Sequence, residues 1–270
     1  MPNKQLQFLK LQGCGNNFVV LEASASDKHL DWSDISKRIL DRNFGIGGDG
    51  VMLISPSENQ DFSIKMFNPD GTPSGMCGNG VRCVVRYLVH KGRIDSNQKS
   101  ISLDFDGRIL ECTQKDQGKV VSVNMGPAIV QQSDRALSID GQEFKFTSVS
   151  IGNPHVVIFV ADLEAIDLPK VGPLIENHTL FPNRTNVEFV KRISAKQLKM
   201  NVWERGAGIT LACGSGACAI VAAGYSLGLC EDDCLVDLPG GQVQIKIDQN
   251  TKDIYLIGPA LEVFEGSIAV

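Results

Sequence analysis

One short motif occurs twice in this chain, and each copy precedes a stretch with helical character. The copies, Cys77-Gly78-Asn79-Gly80 and Cys213-Gly214-Ser215-Gly216, lie 136 residues apart. A single cysteine is more often a buried core residue than a reactive one, so neither copy alone indicates chemistry. The duplication, with its shared glycine frame, predicts two thiols held in matched geometry.

Three further pairs of segments repeat in the same order and at nearly the same spacing. They are residues 15–20 with 152–157, 50–54 with 186–190, and 67–68 with 203–204. Chance similarity explains one pair of glycine-rich segments, but four pairs in chain order are a poor fit to chance. The 270 residues are therefore predicted to form two similar halves, each long enough to bury its own core.

The residues after each cysteine predict a helix. Those after Cys77 form an apolar stripe at helical spacing that ends at Gly92, whereas residues 217–223 are apolar on every face and predict an enclosed helix that ends at Gly228. Strand character is found at residues 18–21, 51–54, 62–67, 101–105, 120–124, 156–160, 186–190, 243–247 and 254–257.

The predicted fold class is α/β of the α+β type. Two pseudosymmetric domains are expected, each a curved, largely antiparallel sheet wrapped around a central helix. The polar segment 115–118 predicts the junction, which gives an N-terminal half at 1–118, completed by a C-terminal strand at 264–270, and a C-terminal half at 119–263.

Composition excludes several partners. A net charge of −5, with no run of Lys and Arg, argues against nucleic acid, and no apolar segment is long enough to cross a membrane. The start of the chain lacks the apolar stretch of a signal peptide, so we expect a cytoplasmic protein whose eight cysteines are reduced.

The repeated motif combines a potential base, the thiol, with an anion-binding site formed by backbone N–H groups. A cysteine at the first turn of a helix is close to unpaired backbone N–H groups and the positive end of the helix dipole, which favour the thiolate. The flanking glycines allow a ligand close to the backbone, where N–H groups bind a carboxylate. If the two halves face each other, one thiolate removes a proton from a carbon and the other thiol delivers one to the opposite face. This chemistry requires neither a cofactor nor a metal.

The motifs closely resemble those of the diaminopimelate epimerase family along essentially the whole chain. The resemblance is carried by Gly15-Asn16, Phe67-Asn68, the segment 76–83, Gly152-Asn153-Pro154-His155, Asn186, Glu204-Arg205-Gly206-Ala207-Gly208 and the segment 212–218. It implies a cofactor-independent enzyme that interconverts LL- and meso-2,6-diaminopimelate in lysine and peptidoglycan precursor biosynthesis. It also implies a homodimer, with Phe264 at the contact.

The resemblance also implies a role for each matching residue. Cys77 and Cys213 would be the acid and base, and the N–H groups of Gly78, Asn79, Gly214 and Ser215 would bind the reacting carboxylate. The distal end of the substrate would be held by Asn68, Asn153, Asn186 and Arg205. Asn16 and Glu204 would bind the substrate ammonium or order the site, and His155 and Glu204 would modulate the pKa values of the cysteines.

Three positions depart from the family pattern. Asn17 replaces an expected aspartate, Ile209 a common glutamate, and Gly50 a glutamine that often contacts the ligand. Gly50 offers only its backbone, so its contribution to the site is left open.

Two other functions remain open at this stage. Proline and hydroxyproline racemases share the fold and the paired cysteines, but carry a histidine at the position of Asn79 and lack the Glu-Arg-Gly segment. A thiol-based metal or redox protein is the remote alternative, because the cysteine spacings lack the two-residue gap typical of zinc and thioredoxin motifs. The other six cysteines are interpreted as small core or surface residues.

Overall fold

The computed structural model describes residues 4–27 and 29–270, and this part of the chain divides into two compact units. Unit 1 comprises the chain up to Val123 together with Gly258–Val270, and unit 2 comprises Asn124–Ile257. The domain bounds expected from the sequence, at residues 118 and 263, stay a prediction.

Unit 1 contains two helices and a set of mainly short strands. In chain order they are β1 (Gln5–Gly13), β2 (Asn16–Glu22), α1 (Trp32–Leu40), β3 (Gly50–Pro56), β4 (Phe62–Phe67), β5 (Pro73–Ser74), α2 (Gly78–His90), β6 (Ser100–Phe105), β7 (Arg108–Lys115) and β8 (Val120–Pro127).

Unit 2 repeats this sequence of elements. They are β9 (Ile129–Ile139), β10 (Gln142–Ser150), β11 (Pro154–Phe159), α3 (Leu168–Glu176), β12 (Asn186–Ser194), β13 (Gln197–Glu204), β14 (Gly208–Ile209), α4 (Gly214–Ser226), β15 (Asp233–Leu238), β16 (Gly241–Ile247) and β17 (Asp253–Pro259). The last strand, β18 (Leu261–Ala269), returns to unit 1 and pairs with β1.

Strand pairing is the same in both units. Unit 1 has the order β18-β1-β2-β3-β4-β6-β7-β8, with β5 beside β4. Unit 2 has the order β9-β10-β11-β12-β13-β15-β16-β17, with β14 beside β13. Only two pairs in each order are parallel, β2–β3 and β4–β6 in unit 1 and their counterparts in unit 2. The predicted fold class is confirmed.

The repeat also extends to the strand register. Phe18 is opposite Gly50 in the parallel pair β2–β3, and His155 is opposite Asn186 in β11–β12. These partners are the residues that the sequence repeat aligns. Residues aligned by the sequence repeat therefore occupy the same backbone positions in both units, even where their side chains differ.

Each unit is built around the helix that follows its cysteine. α2 packs against β1, β2 and β3, whereas α4 packs against β9, β10, β11, β12, β13 and β16. α4 is buried from Gly216 to Gly224, as its uniformly apolar sequence predicts. Gly92 and Gly228, with φ of 64° and 70°, follow the two helices in the left-handed conformation that favours glycine. No helix in the described residues has the length and apolar character needed to cross a bilayer.

Candidate active site

Both motif cysteines lie where the sequence predicts, at the residue that caps a central helix. Cys77 precedes α2 and Cys213 precedes α4, and both have extended backbones, with φ of −128° and −117°. The first backbone N–H groups of a helix have no partner within it, so each motif has donors for an anion beside its thiol. Cys77 is half-buried and Cys213 is buried.

In unit 1, the amide of Asn16 lies between a carboxylate and the thiol. Its Nδ2 donates to Asp49 Oδ2 at 2.9 Å, and its Oδ1 accepts from Cys77 Sγ at 3.9 Å and from Asn79 Nδ2 at 3.2 Å. Because Asp49 is an acceptor, it fixes which end of the amide faces Cys77. Asp49 is a site residue that the sequence motifs did not reveal.

Asn79 is held from its other side by a buried arginine. Its Oδ1 accepts from Arg82, one turn along α2, at 2.8 Å, and Arg82 Nε donates to the carbonyl of Pro259 at 3.2 Å. Both ends of the Asn79 side-chain amide therefore make hydrogen bonds within the protein. The backbone N–H of Asn79 is the group expected to bind substrate.

The two departures from the family pattern in unit 1 have physical reasons. Asn17 donates its backbone N–H and its Nδ2 to Asp49 Oδ2, at 2.8 and 3.0 Å, where an aspartate would place a second carboxylate against the first. Gly50 is buried, and a Cβ there would lie 2.7 Å from the end of the Met66 side chain, so a larger residue at this position would require Met66 to move.

The side-chain hydrogen bond of Asn68 is not made to Asn16, Asp49 or Asn79 but to a residue of its own turn. Asn68 follows β4, and its Nδ2 donates to Thr72 Oγ1 at 3.1 Å within its own turn. Its predicted contact with substrate stays a prediction.

In unit 2, hydrogen-bond donors are aimed at the Cys213 sulfur. The backbone N–H of Gly216 donates to Sγ at 3.3 Å, and Ser215 Oγ lies 3.6 Å from Sγ. A hydrogen bond also joins the Cys213 thiol to Glu204, whose carboxyl accepts from Thr210 Oγ1. The side chains near this sulfur therefore include both donors and an acceptor.

Burial raises the pKa of the Cys213 thiol well above its ordinary value, and the charges of Glu204 and Glu188 raise it further. The hydrogen bonds from Ser215 and Gly216 oppose this effect and only partly offset it. Burial likewise raises the pKa of Glu204, against the hydrogen bonds from Thr210 and Cys213. At Cys213, desolvation therefore outweighs the stabilisation of the thiolate by donors at the helix start.

His155 and Glu188 form a buried pair close to the start of α4. Both side chains are fully buried, and His155 Nδ1 lies 2.6 Å from Glu188 Oε1. His155 Nε2 lies 3.0 Å from Asn153 Oδ1, and Asn153 Nδ2 donates to Ser215 Oγ at 3.3 Å. His155 and Asn153 are thus linked by hydrogen bonds to the Cys213 motif, and Glu188 joins them without having been predicted. The roles expected for His155, as a modulator of the cysteine pKa values, and for Asn153, at the distal end of the substrate, stay predictions.

Asn186 and Arg205 lie together at a second part of unit 2. The Arg205 backbone N–H donates to Asn186 Oδ1 at 2.9 Å, and Asn186 Nδ2 donates to the Pro154 carbonyl at 2.9 Å. The Arg205 guanidinium is exposed and donates to the Asn183 carbonyl at 3.2 Å. Its exposure leaves it able to meet a ligand.

The loop that carries Arg205 is anchored by Glu176 at the end of α3. This buried carboxylate accepts from Trp203 Nε1 at 2.7 Å and from the Gly206 N–H at 2.9 Å, and it also pairs with Arg184. Burial alone would raise the pKa of Glu176, but these hydrogen bonds and the Arg184 charge lower it. Ile209, the third departure, lies on β14 with its side chain 54% exposed.

The remaining six cysteines, Cys14, Cys83, Cys112, Cys218, Cys230 and Cys234, are buried. Burial raises the pKa values of Cys83 and Cys112 to about 12, as for inert core thiols. Within residues 4–27 and 29–270, no three His, Cys, Asp or Glu side chains are grouped in a way that could hold a metal ion.

Comparison with known proteins identifies relatives along nearly the whole chain. The family model described as diaminopimelate epimerase matches residues 8–130 and 147–263. A protein named diaminopimelate epimerase from Acetivibrio thermocellus is 42% identical over 276 residues, which cover 97% of this chain and 98% of that protein. One of the same name from Methanococcus maripaludis is 40% identical, covering 98% of this chain and all of that protein.

Solved structures share the fold at low sequence identity. A phenazine biosynthesis protein of the PhzF family from Bacillus anthracis superposes with a TM-score of 0.79 at 15% identity, covering 99% of this chain and 100% of that chain. A probable proline racemase from Agrobacterium radiobacter superposes with a TM-score of 0.76 at 14% identity, covering 98% and 93% of the two chains. Both support the architecture of two similar domains.

The acidic surroundings of Cys213 predict a slow thiol whose reactivity rises when Glu204 is neutralised. In Glu204→Gln, loss of a negative charge stabilises the thiolate and lowers the pKa of Cys213, so alkylation by iodoacetamide at pH 8 should be on the order of tenfold faster, the change for one pKa unit. Mass spectrometry of digests measures the rate at Cys213. The exposed Glu143→Gln is the control, and an unchanged or slower rate in Glu204→Gln contradicts the electrostatic account.

Proposed function

The chain belongs to the diaminopimelate epimerase family, and we propose that it interconverts LL- and meso-2,6-diaminopimelate without a cofactor. The reaction inverts one α-carbon of a small-molecule substrate, in the synthesis of lysine and peptidoglycan precursors. We further propose that the protein acts in the cytoplasm.

The observation that carries this proposal is the matched pair of capping cysteines in two units with one strand register. Inversion of a carbon needs a base on one face and an acid on the other, and equivalent groups from two similar units can supply both. The unlike surroundings of the thiols support an unequal pair, with one protonated when the other is not.

The chemistry then needs only the two thiols and backbone donors. The thiolate of one cysteine takes the α-proton, and the electron pair of the broken C–H bond moves toward the adjacent carboxylate. The thiol of the other cysteine gives its proton to the opposite face of the same carbon, which restores the C–H bond. The N–H groups of Gly78, Asn79, Gly214 and Ser215 would stabilise the negative charge that builds up on the carboxylate.

Other residues would recognise the rest of the substrate. Arg205, with Asn68, Asn153 and Asn186, would hold the distal amino-acid end, because a guanidinium binds a carboxylate through two parallel hydrogen bonds. Asn16 and Glu204 would bind the substrate ammonium or order the site. The exposure of the Arg205 side chain supports its part in this assignment.

We also propose a homodimer that uses β18. This strand exposes Leu261, Val263 and Phe264 by 43%, 56% and 47% of their surfaces. Adjacent exposed apolar side chains are typical of protein interfaces, and sedimentation of the purified protein measures the oligomeric state.

The activity test supplies LL-diaminopimelate and L-proline separately, without added cofactor, and follows optical rotation. We expect inversion of diaminopimelate alone. Inversion of proline alone would instead identify a proline racemase, the alternative that shares this fold.

Arg205→Lys should reduce kcat/KM by an amount equivalent to about 2 kcal/mol, because an ammonium cannot reproduce two parallel hydrogen bonds to a carboxylate. Steady-state kinetics with LL-diaminopimelate measures the loss. Arg135→Lys, at an exposed arginine on β9, is the control and should be unchanged. Near-normal kcat/KM in a folded Arg205→Lys protein would place Arg205 outside the site.

A further inference from the structure

The buried carboxylate of Glu188 has no part in the mechanism described above. It lies on β12 between apolar neighbours and is completely buried. Its Oε2 has no hydrogen-bond partner among the described residues. A buried carboxylate is costly unless it is paired, and His155 is the partner of its Oε1. Its position is close to the helix start, because a Cβ on Gly216 would lie 2.8 Å from Oε1.

Hydrogen-bond directions follow from the partners of each atom. Asn153 Nδ2 donates to Ser215 Oγ, so Asn153 Oδ1 is the end that faces His155. An amide oxygen only accepts, and His155 Nε2 must therefore carry a hydrogen. One further proton lies between His155 Nδ1 and Glu188 Oε1, on one atom or the other.

The same reasoning continues to the sulfur. Because Ser215 Oγ accepts from Asn153, its own hydrogen is available for Cys213 Sγ, 3.6 Å away. Each donor from His155 onward then points toward Cys213. A reversed Asn153 amide would turn the Ser215 hydrogen to Asn153 Oδ1 and away from the sulfur.

Unit 1 shows that this pair is not required by the fold. Met52 occupies the place of Glu188 and Phe18 that of His155, and a Cβ on Gly80 would lie 2.8 Å from the Met52 sulfur. An apolar pair therefore supports the start of α2 in unit 1. The charged pair in unit 2 needs another reason.

We propose that Glu188 is a positioning residue for Cys213, acting through His155 to fix the Asn153 amide so that the Ser215 hydroxyl donates to the sulfur. The donated hydrogen bond stabilises the Cys213 thiolate when the reaction forms it. This inference rests on the proposed catalytic role of Cys213.

A simple charge effect of Glu188 acts in the opposite direction. Among the described residues, the charges that act on Cys213 are those of Glu204 on β13 and Glu188 on β12, and His155 on β11 contacts Glu188 and acts on Glu204. The Glu188 charge raises the pKa of Cys213, so its removal alone would favour the thiolate. The proton shared with His155 reduces this effect, whereas loss of the oriented Ser215 donor disfavours the thiolate. The sign of the change in reactivity therefore separates the two roles.

The test is the alkylation rate of Cys213 at pH 8 in Glu188→Gln, with Cys77 in the same digests as the internal reference. Positioning predicts a rate about fivefold lower, the effect of losing one ordinary hydrogen bond. A faster or unchanged rate would overturn the proposal. Alkylation does not require turnover, so failure here is distinct from failure of the epimerase assay.

Two further measurements make the test independent of one variant. If Glu188 acts through His155, the double variant Glu188→Gln/His155→Gln should alkylate no more slowly than His155→Gln, whereas additive losses contradict the relay. In wild-type protein labelled with ¹⁵N-histidine, NMR should show a hydrogen on Nε2 of His155, assigned by its loss in His155→Gln. An unprotonated Nε2 would overturn the proposal even if no Glu188 variant folds.

Discussion

The close contact between the first turn of each central helix and the strand beneath it determines much of the rest of the structure. Gly80 and Gly216, the last residues of the two motifs, lie so near β3 and β12 that a Cβ on either would come within 2.8 Å of a strand side chain. The absence of a side chain at these glycines thus allows the first turn of each helix to pack closely against the strand, which fixes the position of the nearby cysteine. In unit 2 the strand residue at that point, Glu188, acts on the charge of the Cys213 thiol.

The two units use this contact differently. In unit 1 the strand residue beside the helix start is Met52, and a hydrogen bond to Asp49 holds the Asn16 amide with its oxygen toward Cys77. In unit 2 the strand offers Glu188, and the hydrogen bonds through His155, Asn153 and Ser215 present a donor to Cys213. Duplication preserves the backbone, and substitution at a few buried positions gives the two thiols different hydrogen-bond environments, which is what the proposed pair of one acid and one base would need.

The sequence predicted the parts of the fold that depend on local pattern or repetition. The helices after both cysteines and the nine expected strands were confirmed, because apolar periodicity and glycine punctuation are local signals. The strand at the C-terminus was expected only from residue 264, whereas β18 begins at Leu261. Eight further strands were not expected, namely β1, β5, β7, β9, β10, β13, β14 and β15. Of these, β9 is largely exposed and lacks an alternating apolar pattern. Asp49 and Glu188 were missed because their roles depend on tertiary contacts, although a lone charge within the apolar run 186–190 is a usable signal.

We propose that each cysteine serves one face of the same α-carbon, and α-hydrogen exchange in D2O by Cys77→Ala and Cys213→Ala is the sharpest test of this proposal. A variant with one thiol can remove and return a proton only on the face that this thiol serves. We expect one variant to exchange only LL-diaminopimelate and the other to exchange only the D-centre of the meso isomer, and we expect neither to epimerise. Exchange of both isomers by one variant, or continued epimerisation by either, would contradict it.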